Sequence, residues 1–247
     1  AIKAVSLNFR DILVTRNTYF APISGGLVPC SDGAGEVVAV GSQVQGLAVG
    51  DRVATLFFPH WQSGKPDARA LSDARGAESA GAFTEHFVSD ERGLIKLPDG
   101  LSYAEGATLP CAAVTAWNSL FEAGDLKPGQ TVLLLGTGGV SIFALQFAKA
   151  AGAKVIITSS DDAKLERARV LGADHGINYR RHPEWHEEVL RLTGGQGVDV
   201  VLEVGGPGTL ERSLMSVATG GRIAYIGVLT GHGRPARPTV KPSSRRA

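Results

Sequence analysis

Thr131-Val-Leu-Leu-Leu135 runs into Gly136-Thr137-Gly138-Gly139-Val140-Ser141, and an amphipathic pattern over 142–151 follows. The apolar run reads as a buried strand, the glycines as a tight turn, and the last stretch as a helix. In that context Gly136 permits the turn and Gly138 lets the backbone approach a pyrophosphate. The phosphate charge would be met by N–H groups of Gly139 and Val140 at the positive end of the helix dipole. A merely structural turn is the alternative. A second apolar strand about twenty residues further on favours dinucleotide binding. Ser141 stands where the pattern usually has its third glycine, and its small side chain still allows close helix packing.

Working outward from this turn, apolar strands at 131–135, 154–158, 198–204 and 222–228 alternate with helical patterns at 140–151, 163–171, 184–192 and 209–218. Such alternation predicts a parallel sheet covered on both faces, with ligands at the carboxyl edge of its strands. The first hundred residues differ. Short β-rich runs at 35–40, 51–56 and 83–89, broken by Gly and Pro, predict a small β-domain. The polar, Ala- and Gly-rich stretch 59–82 reads as a long surface loop.

The end of the second strand bears on the cofactor. An acid there would accept from the adenine ribose of NAD and repel the extra phosphate of NADP. The sequence offers Ser159 and Ser160, both able to donate to phosphate, and Lys164 one helical turn on. NADP(H) is therefore favoured over NAD(H), although Asp161 and Asp162 lie close by. Ser160 or Asp161 capping the next helix, with Lys164 solvated, would fit either cofactor.

Composition narrows the partner to a small molecule. The 247 residues carry 25 Lys plus Arg against 24 Asp plus Glu, a net charge of +1, and 43% hydrophobic residues. That balance gives no pull toward nucleic acid, and no apolar run approaches the roughly 20 residues of a membrane span. Cys30 and Cys111 make neither a disulfide framework nor a four-cysteine zinc site, so a cytoplasmic setting is the expectation. From residue 231 onward five basic residues, no acid and Pro235, Pro238 and Pro242 predict a disordered tail.

Taken together, Ser6-Leu-Asn-Phe-Arg-Asp11, Ser31-Asp-Gly-Ala-Gly-Glu-Val37, Val49-Gly-Asp-Arg-Val53, Leu109-Pro-Cys-Ala-Ala-Val-Thr-Ala-Trp117, the 136–141 turn, Leu171-Gly-Ala-Asp174, Ile177-Asn-Tyr-Arg180 and Val204-Gly-Gly206 resemble the medium-chain dehydrogenase/reductase superfamily. Within it the motifs resemble the zinc-less quinone-oxidoreductase-like / alcohol-dehydrogenase-like branch. The resemblance implies an α/β chain: a GroES-like β-domain over 1–108, a Rossmann doubly wound parallel sheet over 109–230, and the tail over 231–247. It also implies nicotinamide-dependent redox chemistry between the two domains.

Zinc-dependent members take Cys, His and Cys or an acid from three of these motifs. Here Asn8, Ser31 and Cys111 stand at those places. One soft ligand with an amide and a hydroxyl is not a three-ligand site, so no zinc is expected. The four-cysteine structural lobe is missing as well. Without a Lewis acid nothing stabilises the alkoxide of a simple alcohol, whereas a quinone or enone delocalises the charge itself. Reduction of a conjugated acceptor by NADPH is the reaction this implies. An NAD(P)-dependent alcohol dehydrogenase-like enzyme and a non-catalytic dinucleotide-binding fragment stay open.

The resemblance further implies Asn8 and Thr115 at the nicotinamide end, Gly227 and Val228 at the carboxamide, and Lys164 with Tyr179 at the adenosine phosphate. No general acid is assigned, because Leu13 stands where some relatives have a Tyr: Asn8, Asp11 and Tyr19 are the candidate catalytic residues, and Asp11, Tyr19, His60 or solvent water could give the proton. Relatives extend beyond this chain at both ends, as a partial sequence or a change of coding frame would give. A homodimer is expected only where the sheet is completed.

Overall fold

The structure, a computed structural model, describes residues 1–19 and 26–231. The tail reading for 232–247 lies outside the described residues. The chain divides into two compact units, Ala1–Val114 and Thr115–Ala247, where the sequence reading set the boundary at 108/109.

In the first unit β1 (Ile2–Ser6) leads into α1 (Phe9–Thr15), and β2 (Asp32–Glu36), β3 (Arg52–Thr55) and β4 (Leu94–Lys96) follow. The four strands pair antiparallel in sequence order, with Ser6 opposite Asp32, Ala34 opposite Ala54, and Ala54 opposite Ile95. Small side chains at Ala34 and Ala54 let α2 (Tyr103–Ala107) close over the sheet, where Ala107, Tyr103 and Leu97 complete the core.

Two expectations are corrected here. Residues 83–89 form no strand: Val88 is 96% exposed, so the apolar alternation there does not mark a buried face. The N–H groups of Gly81 and Ala82 donate instead to the carbonyls of Val28 and Cys30. The 59–82 stretch has no regular helix or strand, but it is not wholly a surface loop. Arg75 within it is buried, its guanidinium donating to the carbonyls of Leu56 and Gly93 and lying over the Phe87 ring.

After α2 the chain continues through a helical turn, Leu109–Ala113, into α3 (Val114–Trp117) and a further turn, Asn118–Glu122. The second unit then alternates β5 (Thr131–Leu134), α4 (Gly139–Ala150), β6 (Lys154–Ser159), α5 (Asp162–Val170), β7 (His175–Asn178), α6 (Trp185–Leu192), β8 (Val198–Glu203), α7 (Leu210–Ser216) and β9 (Val217–Tyr225). All pairings are parallel, in the order β7-β6-β5-β8-β9.

Side chains alternate across this sheet as strand geometry requires. Val132, Leu134, Val155, Ile157, Val200 and Leu202 meet Ala144, Leu145 and Ala148 of α4 on one face. Leu133, Ile156 and Val201 meet Trp185 and Val189 of α6 on the other. Both faces are covered, which is why the strands read as continuous apolar runs. The sequence reading found four strands; the fifth is β7. Its sequence His175-Gly-Ile-Asn178 sends a single apolar side chain, Ile177, into the core, so it lacks a hydrophobic signature. It pairs along one side only, as an edge strand.

Candidate functional site

The glycine turn leaves β5 with Gly136 at φ +71°, a backbone conformation that costs any residue with a Cβ. Its N–H donates to Thr158 Oγ1 of β6 at 3.0 Å, and Thr137 Oγ1 meets Ser159 Oγ at 3.1 Å. Gly138 is the N-cap of α4, with φ −81°, and a Cβ built there would meet nothing within 4 Å. The first N–H groups of a helix have no partner within it, so those of Gly139 and Val140 face this open space at the positive helix end. Ser141 is buried and its hydroxyl donates to the Leu135 carbonyl at 2.8 Å. The serine thus ties the helix back to the strand end it leaves.

At the end of β6, Ser159 is nearly fully buried, with its hydroxyl turned toward Thr137. Ser160 is half-buried and Lys164 is exposed. Asp161 caps α5, its Oδ1 accepting from the Lys164 N–H at 3.0 Å. Asp162 accepts from Asn178 Nδ2 at 2.8 Å and is ion-paired with Arg181. Both acids that stood against an NADP site are therefore engaged. Tyr179 follows β7, its N–H donating to the Ser159 carbonyl at 3.0 Å, so the unforeseen strand brings Tyr179 beside Ser159. Arg180 and Arg181 come next and were not singled out from sequence.

Gly227 and Val228 lie just beyond β9. The N–H groups of Ile226 and Gly227 donate to the Glu203 carbonyl at 2.8 and 3.2 Å, and that of Leu229 to the Val204 carbonyl at 3.3 Å. Glu203, fully buried, was missed; an acid closing the apolar run Val200-Val-Leu202 was its one sequence signal.

In the first unit the three positions where zinc-dependent members carry ligands converge on one carboxylate, that of Asp32. Asn8 Nδ2 donates to Asp32 Oδ2 at 3.0 Å, Ser31 Oγ to Oδ1 at 2.7 Å, and the Cys111 N–H to Oδ2 at 3.2 Å. Asp32 is fully buried, and burial pushes its carboxyl up to about 6 against the lowering by these hydrogen bonds. At these positions an amide, a buried hydroxyl and a backbone N–H donate to the Asp32 carboxylate, and of the three side chains only the Cys111 thiol is a soft metal ligand.

Asp11 lies one turn into α1, its Oδ2 accepting from the Asn8 N–H at 2.7 Å. Burial raises its carboxyl above the ordinary value, against the pull of that N–H and of Arg10. Asp11 Oδ1 and Arg10 Nη2 have no hydrogen-bond partner among the described residues. The Arg10 guanidinium lies between the rings of Tyr19 and Phe57, at 4.9 and 4.5 Å. His60 is half-exposed and pairs with Asp73 at 3.0 Å. Thr115 is half-buried within α3. The structure thus gathers Asn8 and Asp11 around Asp32, while Tyr19 belongs to the Arg10 stack.

Comparison with known proteins agrees in both halves of the chain. Residues 1–99 match the alcohol dehydrogenase GroES-like domain, and residues 139–243 match the zinc-binding dehydrogenase domain, running past the 230/231 boundary expected for the second domain. A zinc-type alcohol dehydrogenase-like protein of Schizosaccharomyces pombe is 47% identical over 234 residues, covering 94% of this chain and 68% of that protein. Among solved structures, an NAD-dependent alcohol dehydrogenase superposes with a TM-score of 0.85 at 35% identity, over 97% of this chain and 71% of that one. Escherichia coli quinone oxidoreductase complexed with NADPH gives 0.80 at 28% identity, over 96% and 66%. No helix among the described residues is long and apolar enough to cross a membrane. On these matches, and on a β-unit followed by a five-stranded parallel sheet, the chain belongs to the medium-chain dehydrogenase/reductase superfamily.

Proposed function

We propose that this chain serves as a zinc-independent, NADP(H)-dependent oxidoreductase that reduces a carbonyl-conjugated acceptor, a quinone or an enone. The observation that carries the reading is the Asp32 cluster, in which the groups at the family's ligand positions donate to one carboxylate. An unactivated alcohol would find no Lewis acid for its alkoxide there; a conjugated acceptor delocalises its own charge.

For the cofactor, support comes from the commitment of Asp161 to a helix cap and of Asp162 to Arg181, which leaves Ser160, Lys164 and Tyr179 to face a phosphate. Gly136, Gly138, Gly139 and Val140 would seat the pyrophosphate on helix N–H groups. Ser159 supports that turn from β6. Gly227 and Val228 would offer backbone groups to the carboxamide, and Asn8 and Thr115 would line the nicotinamide end. A bound nicotinamide supplies hydride; the protein supplies position and a dry surround. The NAD-dependent neighbour favours a second reading, with NAD(H) in the same seat.

Thermal unfolding separates the two. A ligand at a hundred times its dissociation constant adds about 2.7 kcal/mol of stability. NADPH is expected to raise the melting temperature more than NADH at matched concentrations. Lys164→Glu should weaken NADPH about tenfold, worth about 1.4 kcal/mol, and leave NADH within about twofold. Equal shifts from the two cofactors, untouched by Lys164→Glu, would instead support the NAD reading. Exhaustive dialysis against a chelator is expected to leave the rate of NADPH consumption unchanged; loss of the rate, restored by zinc, would overturn zinc independence.

A further inference from the structure

We propose that Glu203 is a positioning residue for the nicotinamide half of the cofactor, holding the loops after β8 and β9 in the shape that presents Gly227 and Val228. The inference rests on the dinucleotide reading above. Four donors converge on its buried side chain. Oε1 accepts from the N–H groups of Gly205 at 2.7 Å and Gly206 at 2.9 Å and from Thr209 Oγ1 at 2.6 Å, and Oε2 accepts from Ser213 Oγ. The same residue's main-chain carbonyl accepts from the N–H groups of Ile226 and Gly227. One residue thus fixes the 205–209 loop through its side chain and the 226–227 segment through its backbone.

Thr230 joins the two loops. Its N–H and its hydroxyl each donate to the Gly205 carbonyl at 2.8 Å, and its Oγ1 accepts from the Gly208 N–H at 2.9 Å. A carboxylate here carries a desolvation cost that an apolar side chain of similar size would avoid. What an apolar side chain could not do is gather two consecutive loop N–H groups and two hydroxyls at the strand end. Among the described residues no hydrogen bond of this network involves the turn at 136–141 or the Ser159–Tyr179 corner, so its effect should be confined to one half of the dinucleotide.

Equilibrium binding of NADPH and of adenosine 2′,5′-bisphosphate, which carries only the adenosine half, tests this on the full chain. Glu203→Ala is expected to weaken NADPH at least tenfold and to leave the bisphosphate within about twofold. Thr209→Val, which removes one of the four donors, should weaken NADPH about threefold with the bisphosphate unchanged. Glu203→Gln should keep the wild-type NADPH affinity, because its Oε1 can accept from three donors while its amide donates to Ser213 Oγ. Equal weakening of both ligands, or an unchanged ratio in Thr209→Val, overturns the proposal; the second result decides even where Glu203→Ala does not fold. A wild-type chain that binds neither ligand overturns the dinucleotide reading itself, and this proposal with it.

Discussion

Asp32→Asn is expected to stabilise the first unit at neutral pH by about 3 kcal/mol and to leave its stability near pH 4 unchanged. The folded carboxyl takes a proton at about 6, the unfolded one at the ordinary 3.8. A group whose folded value is raised contributes stability that is fully present below the unfolded value. That stability is lost as pH rises through the folded one. In the wild type the loss should therefore run from about pH 4 to pH 6. Asparagine mimics the protonated acid: its Oδ1 can accept from Asn8 Nδ2 and the Cys111 N–H, while its amide donates to a rotated Ser31 hydroxyl.

The difference between variant and wild type in denaturant titrations, taken at half-unit pH steps, reads this group together with its coupling to Asp11, whose carboxyl burial also raises. It does so even though Asp51, Glu105, Asp125 and other surface carboxylates are lowered by their hydrogen bonds and ion pairs and act in the opposite sense. Near pH 7 the melting temperature should rise by roughly 10 °C. A difference that stays flat from pH 4 to pH 7 would falsify the assignment.

Gly227→Ala is expected to destabilise the second unit by about 3 kcal/mol or more and to abolish the NADPH-induced shift. A Cβ at Gly227 would stand 2.3 Å from the Val204 carbonyl oxygen and 2.9 Å from its carbon. Those are backbone atoms of the neighbouring strand end, so relief requires parting β8 from the segment after β9, with loss of the Gly227-to-Glu203 hydrogen bond. Gly138→Ala is the informative contrast. Its backbone lies at φ −81° and its Cβ would meet nothing within 4 Å. The melting temperature should hold within about 2 °C, while NADPH affinity falls at least tenfold because the space a pyrophosphate needs is filled. An unchanged affinity in Gly138→Ala would move the phosphate away from this turn.

The order of these two effects could not be ranked from sequence, since all the glycines of 136–139 and 227 look alike as letters. What differs is the neighbour: open space at Gly138, a carbonyl at Gly227. The same holds for the acids at the end of β6. Read along the chain, Asp161 and Asp162 threaten an NADP site; in the fold, one is a helix cap and the other is held by Asn178 and Arg181, which arrive from β7.

Sequence by itself determined the alternation of buried strands and helices in the second unit, the turn at 136–141, and the amide and hydroxyl that stand at positions 8 and 31. Period, glycine placement and residue chemistry are local properties, and a parallel sheet covered on both faces writes its strands as apolar runs. Only the tertiary structure decided that β7 exists, that Arg75 is buried beneath an otherwise polar loop, and that Asn8, Ser31 and Cys111 all donate to Asp32. An edge strand with one inward side chain, a buried guanidinium and a buried acid each depend on partners tens of residues away. Their energetics are set by desolvation and by those partners, and neither is a property of the local sequence.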